Sequence, residues 1–203
     1  HRKFILKDVM EFSEKYSYRG AGGIMPENKE ERKKLEFALS AKDYNLLKEY
    51  LINVLYKIEN HDKGAHDYGL VSAKVSIFLN LLYSNNIPIE EIFDSIIQPV
   101  LEQTGTMWEK GEIGIEQEHI VTNIIEDSIV KLQENISKKP QRGLSVLCGC
   151  FEGEFHELGI KCVKTLLDAH GWNVYYPGAN LPVNSFKSAI KYFSPDLVCI
   201  SVV

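Results

Sequence analysis

The chain has 203 residues, 44% of them apolar and 25% charged, enough to build a real hydrophobic core or two small ones. A net charge of -5 with a pI near 5.7 argues against a surface made to neutralise phosphates, so this chain should not grip DNA strongly. No stretch approaches the roughly 18 consecutive apolar residues of a membrane span and no signal segment opens the chain, so no membrane partner and a cytoplasmic location are expected. Cys148, Cys150, Cys162 and Cys199 all lie in the last third. A domain of this size needs no disulfide staple, and they read as reduced core residues.

In chain order, "HRKFILKDVMEFSEKY" (1–16) opens with a basic, strand-like triplet and continues as an amphipathic helix carrying Ile5, Val9, Met10 and Phe12. One helix and half a strand cannot bury a core. The stretch resembles the tail of the winged helix-turn-helix of MerR and excisionase-type regulators, which implies that 1–17 is the remnant of a DNA-binding domain. "SYRGAGGIMPENKEE" (17–31) has linker composition, and the linker is placed at 18–30. A helical bundle of four-helix type is expected over 31–137. Leu46, Leu47, Tyr50, Leu51, Val54, Leu55 and Ile58 repeat at three and four residues, as do Val71, Val75, Ile77, Phe78, Leu81 and Leu82 beyond the polar loop at 60–69. Pro99 should kink or interrupt the next helix, and "IEQEHIVTNIIEDSIVKLQENI" forms the last.

After "SKKPQRG" (137–143) the pattern changes. "LSVLCGCF" is a continuous apolar run suited to a strand buried on both faces, and "ELGIKCVKTLLDAHG" is a helix stopped by Gly171. A second strand, a second helix and the strand "PDLVCISVV" follow. Strand alternating with helix implies a parallel sheet of flavodoxin-like or Rossmann-like type over 143–203, so the fold class is α plus α/β. Because the chain stops in its third strand, this sheet domain is expected to be incomplete. No internal repeat or low-complexity tract is found.

The turn after the first strand contains Glu154, His156 and Gly159. Ligands of open parallel sheets bind beyond the carboxyl ends of the strands, where this turn points. A His there can offer one ring nitrogen to a metal while a carboxylate takes the proton on the other, fixing the tautomer. Gly159 would let a bulky ligand approach the start of the helix. Cys148, Cys150 and His156 might instead be thought to hold zinc, but structural zinc favours Cys pairs separated by two to four residues.

Glu-x-His-x-x-Gly after a strand resembles the Asp-x-His-x-x-Gly signature of cobalamin-binding domains, with Glu154 where the family more often has Asp. The resemblance implies that His156 is the lower cobalt ligand, in place of the nucleotide base, tuned by Glu154. It also implies that Ser201 and Val203, matching a Ser-x-Leu pattern with Val for Leu, line the cofactor. The family's later Gly-Gly loop would fall beyond residue 203 and cannot be matched, which puts the grip on the nucleotide tail in doubt. Trp108, nine residues, then Glu118-His119 resembles the Trp-x9-Glu-His motif of CarH-like, light-responsive, adenosylcobalamin-dependent regulators of the MerR family.

That resemblance spans essentially the whole chain and implies a homo-oligomeric, non-enzymatic photoreceptor acting on DNA through a winged-helix domain. In it Trp108 walls the upper face, Glu118 binds the ribose hydroxyls of the adenosyl group, Ile115 packs on adenine and His119 bonds nearby. Independently, Val121, Ile125, Ile129 and Leu132 continue an apolar stripe from Glu118, and a carboxylate on such a stripe needs a partner. Core packing for Trp108 and an interhelical salt bridge for Glu118 are the plainer readings. One departure is Glu109, where light-sensing members can carry a His that captures cobalt after photolysis. Alternatives are a corrinoid carrier for a methyltransferase, which also joins a helical cap to this signature, and a module for another tetrapyrrole.

Overall fold

The computed structural model describes residue 26 and residues 28–56 and 68–202. The winged-helix remnant, most of the linker, most of the loop at 60–69 and the site residue Val203 lie outside the described residues. The chain divides into two compact units, with the division between Asn135 and Ile136.

The first unit is helical. Asn28 accepts a hydrogen bond from the Glu30 N–H at 2.9 Å, and this cap starts α1 (Lys29–Ala41) inside the stretch read as linker. α2 (Tyr44–Tyr56) and α3 (Tyr68–Ser84) follow. α4 (Ile89–Glu91) runs into a π-helical turn (Ile92–Ile97), then α5 (Gln98–Glu109), and α6 (Ile115–Gln133) closes the unit. α1 packs on α2 and adds a segment to the four-helix arrangement expected.

The expected stripes face inward: Leu47, Leu51 and Leu55 of α2, Val71, Val75, Phe78 and Leu82 of α3, and Val121, Ile125, Ile129 and Leu132 of α6 are buried. Burying one such side chain contributes about 1.5–3 kcal/mol. Between α3 and α6, the Ser76 and Ser128 hydroxyls meet at 3.0 Å, and each also bonds a carbonyl one turn back on its own helix, so burial leaves neither unsatisfied. Pro99 does not break its helix. The backbone widens ahead of it into the π turn, where the Gln98 N–H bonds to the Phe93 carbonyl, and the proline sits in the first turn of α5, where its missing N–H matters least.

The second unit is the expected parallel sheet: β1 (Ser145–Cys150), α7 (Leu158–Ala169), β2 (Asn173–Tyr175), α8 (Val183–Phe193) and β3 (Leu197–Ser201), in the order β2-β1-β3. β1 is central, and Val146, Leu147, Cys148 and Cys150 have no exposed surface. Val146, Cys148 and Cys150 pack with Ile160 of α7. On the other face a side chain at Gly149 would lie 3.1 Å from Phe186 of α8, which explains the glycine. In register, Cys150 pairs with Ser201, so β1 and β3 end side by side. The chain leaves β1 through α7 for β2 on one side of it and crosses through α8 to β3 on the other, and ligands of open parallel sheets bind at the carboxyl ends of the strands. No helix among the described residues is long and apolar enough to cross a membrane.

Gly171 ends the α7 region as expected, at φ +82°, and a Cβ there would lie 2.2 Å from the Pro140 carbonyl oxygen. Gly171→Ala therefore combines a disfavoured backbone conformation with a backbone overlap. It should cost about 2–4 kcal/mol in urea unfolding, whereas an unchanged midpoint would show that the 140–143 segment moves freely.

Candidate functional site

The loop between β1 and α7 carries the strongest site. The Glu154 side chain is 9% exposed, while that of His156 is 82% exposed. One carboxylate oxygen, Glu154 Oε1, accepts from the His156 backbone N–H at 2.7 Å and lies 2.7 Å from His156 Nδ1. With Nδ1 carrying the proton toward the carboxylate, Nε2 keeps its lone pair for an external ligand. A buried carboxylate is tolerated because it is bonded, and those bonds hold the ring in place. The Cys150 thiol adds a long contact of 3.9 Å to the His156 carbonyl. Gly159 lies in the first turn of α7 with no atom within 4 Å of a would-be Cβ. Packing within the chain does not require a glycine there, and the open space is what a bulky ligand over the helix start needs.

Other residues of the loop were not singled out by sequence. Glu157, just ahead of α7, accepts from Tyr176 at 2.6 Å and pairs with Lys161. Burial pushes its carboxyl upward, but the bonds from Lys161 and Tyr176 outweigh that and hold it below the ordinary value. Asn180, in the turn after β2, bonds the loop twice: Gly153 N–H donates to its Oδ1 at 2.8 Å, and its own N–H donates to the Glu154 carbonyl at 3.0 Å. The signal available in the sequence was an Asn two residues after a Gly in a strand-to-helix turn, a residue type that tolerates left-handed backbone. Ser201 stands level with Cys150 at the same sheet edge.

The helical unit gathers the second set at one end. α5 stops one residue after Trp108, and Gly111 at φ +71° turns the chain, with Gly111 N–H bonding the Trp108 carbonyl at 2.9 Å. Gln117 reaches back to the Gly114 N–H at 2.8 Å to start α6. The nine residues between Trp108 and Glu118 are therefore a tight helix-turn-helix corner, which brings the end of α5 to the start of α6. Trp108 is 46% exposed and Ile115 53% exposed. Trp108 is not bundle core, and Ile115 faces outward, because the stripe leaves the packed interior one turn before Val121. Glu118 is half-buried and bonds along its own helix, accepting from Thr122 at 3.0 Å with His119 Nε2 at 3.4 Å, and among the described residues no interhelical salt bridge accounts for it. Glu109 is exposed at the carboxyl end of α5.

All four cysteines are free, and no group of three or more His, Cys, Asp or Glu among the described residues could hold a metal ion. Burial, and the neighbouring Cys199, push the Cys148 thiol up to about 12, and burial together with Glu154 and Glu157 raises Cys150.

Part of each unit matches a family model for cobalamin binding. Residues 144–203 match the family model of the B12 binding domain, and residues 73–133 match a second model, also described as a B12 binding domain. Among individual relatives, the dimethylamine corrinoid protein 3 of Methanosarcina acetivorans is 24% identical over 116 residues, covering 57% of this chain and 54% of that protein. The HTH-type transcriptional repressor CarH of Myxococcus xanthus is 28% identical over 117 residues, covering 58% of this chain and 38% of that protein. The chain thus spans about half the length of the first relative and less of the second. The monomethylamine corrinoid protein of Methanosarcina barkeri shares the fold, with a TM-score of 0.57 and 16% identity over 76% of this chain and 66% of that one.

A thiol with a pKa near 12 is ionised at pH 8 to only on the order of one part in ten thousand. Iodoacetamide at pH 8 should leave Cys148 unmodified in the folded protein and alkylate it in urea, as read by peptide mass spectrometry; rapid alkylation in the native state would contradict this burial.

Proposed function

We propose that the chain is the cobalamin-binding sensor module of a MerR-type transcription regulator, that its physiological ligand is adenosylcobalamin and that light is its signal. His156 Nε2 ligates cobalt with Glu154 holding Nδ1, Gly159 leaves room at the helix start, and Ser201 borders the cofactor from the end of β3; Val203, outside the described residues, is assigned to the same border by its motif alone. Adenosylcobalamin supplies a cobalt-carbon bond that light breaks, so its upper group is present in darkness and lost after illumination. Trp108 walls that group, Glu118 accepts from its ribose hydroxyls, His119 bonds nearby and Ile115 packs on adenine. The module catalyses no reaction itself, acts in the cytoplasm as a homo-oligomer, and transmits its state to DNA through a winged-helix domain.

The observation that carries this reading is the exposed Trp108, Ile115 and half-buried Glu118 at one corner of the helical unit. The chain's own packing uses none of the three fully, and together they offer an apolar wall with one acceptor. Moving a two-state equilibrium from 1:99 to 99:1 takes about 5.5 kcal/mol of differential interaction. Charge-assisted hydrogen bonds at about 1.5–3 kcal/mol each and one aromatic contact at about 1 kcal/mol reach that scale.

A second reading is a corrinoid carrier for a methyltransferase. It is favoured by the matches to methylamine corrinoid proteins at identities close to that with CarH, and by Glu109, which offers a carboxylate where a second cobalt-binding His would serve light sensing. A carrier would hold a small methyl group and leave the cobalt reachable by partners.

Absorption spectra and light-scattering mass of the protein with adenosyl- and methylcobalamin, in darkness and after green illumination, separate the two. A sensor changes mass with light only in the adenosyl form, and a carrier exchanges methyl groups with no change of mass. Trp108→Ala should cut the preference for adenosyl over methyl on the order of tenfold while leaving helical circular dichroism intact. Loss of the fold instead would return Trp108 to the core.

A further inference from the structure

We infer that Asn180 is the positioning residue that holds the lower-ligand loop in register, so that Glu154 can present His156. The inference rests on the reading of His156 as the cobalt ligand.

Two neighbouring residues of the loop are tied to this one residue. Gly153 N–H donates to the Asn180 side chain at 2.8 Å, and the Glu154 carbonyl accepts from the Asn180 N–H at 3.0 Å. Its neighbours extend the strap: Leu181 N–H donates to the Cys150 carbonyl at 3.0 Å, and Phe151 pairs with Leu181 in parallel. Beyond the end of β1, the turn after β2 is thus what continues to hold the chain as far as Glu154. From there the control passes to the Glu154 carboxylate, which bonds both the N–H and the ring of His156.

The residue type follows from the geometry. Asn180 sits at φ +52°, a left-handed conformation that Asn, Asp and Gly adopt far more readily than other residues. Of these, Gly lacks the acceptor that Gly153 needs, and Gly153 itself is at φ +88°, so its N–H is aimed by a turn few other residues could make. Asn180 is exposed, and so buries no side chain whose loss would explain a defect. A displacement of Glu154 by a fraction of an ångström moves the ring nitrogen with it, whereas the sheet, anchored by the buried β1, stays where it is.

The test uses Asn180→Gly, which keeps the backbone conformation and removes the acceptor, beside Asn180→Asp, which keeps both. Amide hydrogen exchange at Gly153 in cofactor-free protein reads the strap, and the dissociation constant and spectrum of added hydroxocobalamin read its consequence. Asn180→Gly should raise Gly153 exchange and weaken hydroxocobalamin binding on the order of fivefold each, the worth of one hydrogen bond, and Asn180→Asp should restore both. Unchanged exchange or unchanged binding in Asn180→Gly overturns the inference, as does an equal loss in Asn180→Asp. If His156→Ala leaves the hydroxocobalamin spectrum as in the unsubstituted protein, the ligand reading itself fails. Gly153 exchange would still report whether the strap exists.

Discussion

A single carboxylate oxygen governs the lower part of the site. Glu154 Oε1 lies 2.7 Å from both the backbone nitrogen and the ring Nδ1 of His156, and the acid is buried while the ring stands in solvent. Hiding a carboxylate costs free energy that must be recovered through its bonds, and two of those bonds go to His156. The result is a ring with one nitrogen committed and one aimed outward. A free surface histidine would sample several rotamers and both tautomers, and binding would have to supply the cost of choosing among them. Here folding makes the choice.

That arrangement in turn depends on the sheet. β1 is buried on both faces, which fixes where its carboxyl end lies, and the pairing of Cys150 with Ser201 and of Phe151 with Leu181 fixes what lies beside it. The helical unit follows a contrasting logic. Its interior is saturated with Leu, Ile and Val, yet a Trp and an Ile remain half exposed at the corner between α5 and α6. Scattered exposed apolar residues are ordinary, but here they flank a partly buried carboxylate in a corner only five residues long between the helices, Lys110 to Gly114. Such a surface gains stability only when something covers it.

Much of this was legible in the sequence because the signals were local. The run from Leu144 to Phe151 suited a strand covered on both sides, the three-and-four spacing of Leu47, Leu51 and Leu55 named the inward face of α2, and Glu154 and His156 are two residues apart. What escaped involved bonds between distant segments or backbone adjustments. The π turn before Pro99 leaves no composition signature, since Ile92 to Ile97 read as ordinary helix. Asn180 matters through a loop 26 residues earlier at Glu154, a pairing that exists only once β2 lies beside β1. The exposure of Ile115 was not legible either: periodicity tells which residues share a stripe, but not where the neighbouring helix ends and the stripe runs into solvent.

The central claim is that a protein imidazole, rather than the nucleotide base of the cofactor, occupies the lower position on cobalt. Electron paramagnetic resonance of the cob(II)alamin-loaded protein, grown with histidine labelled by nitrogen-15 in the ring, addresses it directly because the cofactor's own base stays unlabelled. Ligation by His156 predicts that the triplet splitting of each cobalt line by nitrogen-14 becomes a doublet, and that the doublet vanishes in His156→Ala. A triplet that persists in the labelled protein would mean that the cofactor keeps its own base, and His156 would be only an exposed loop residue.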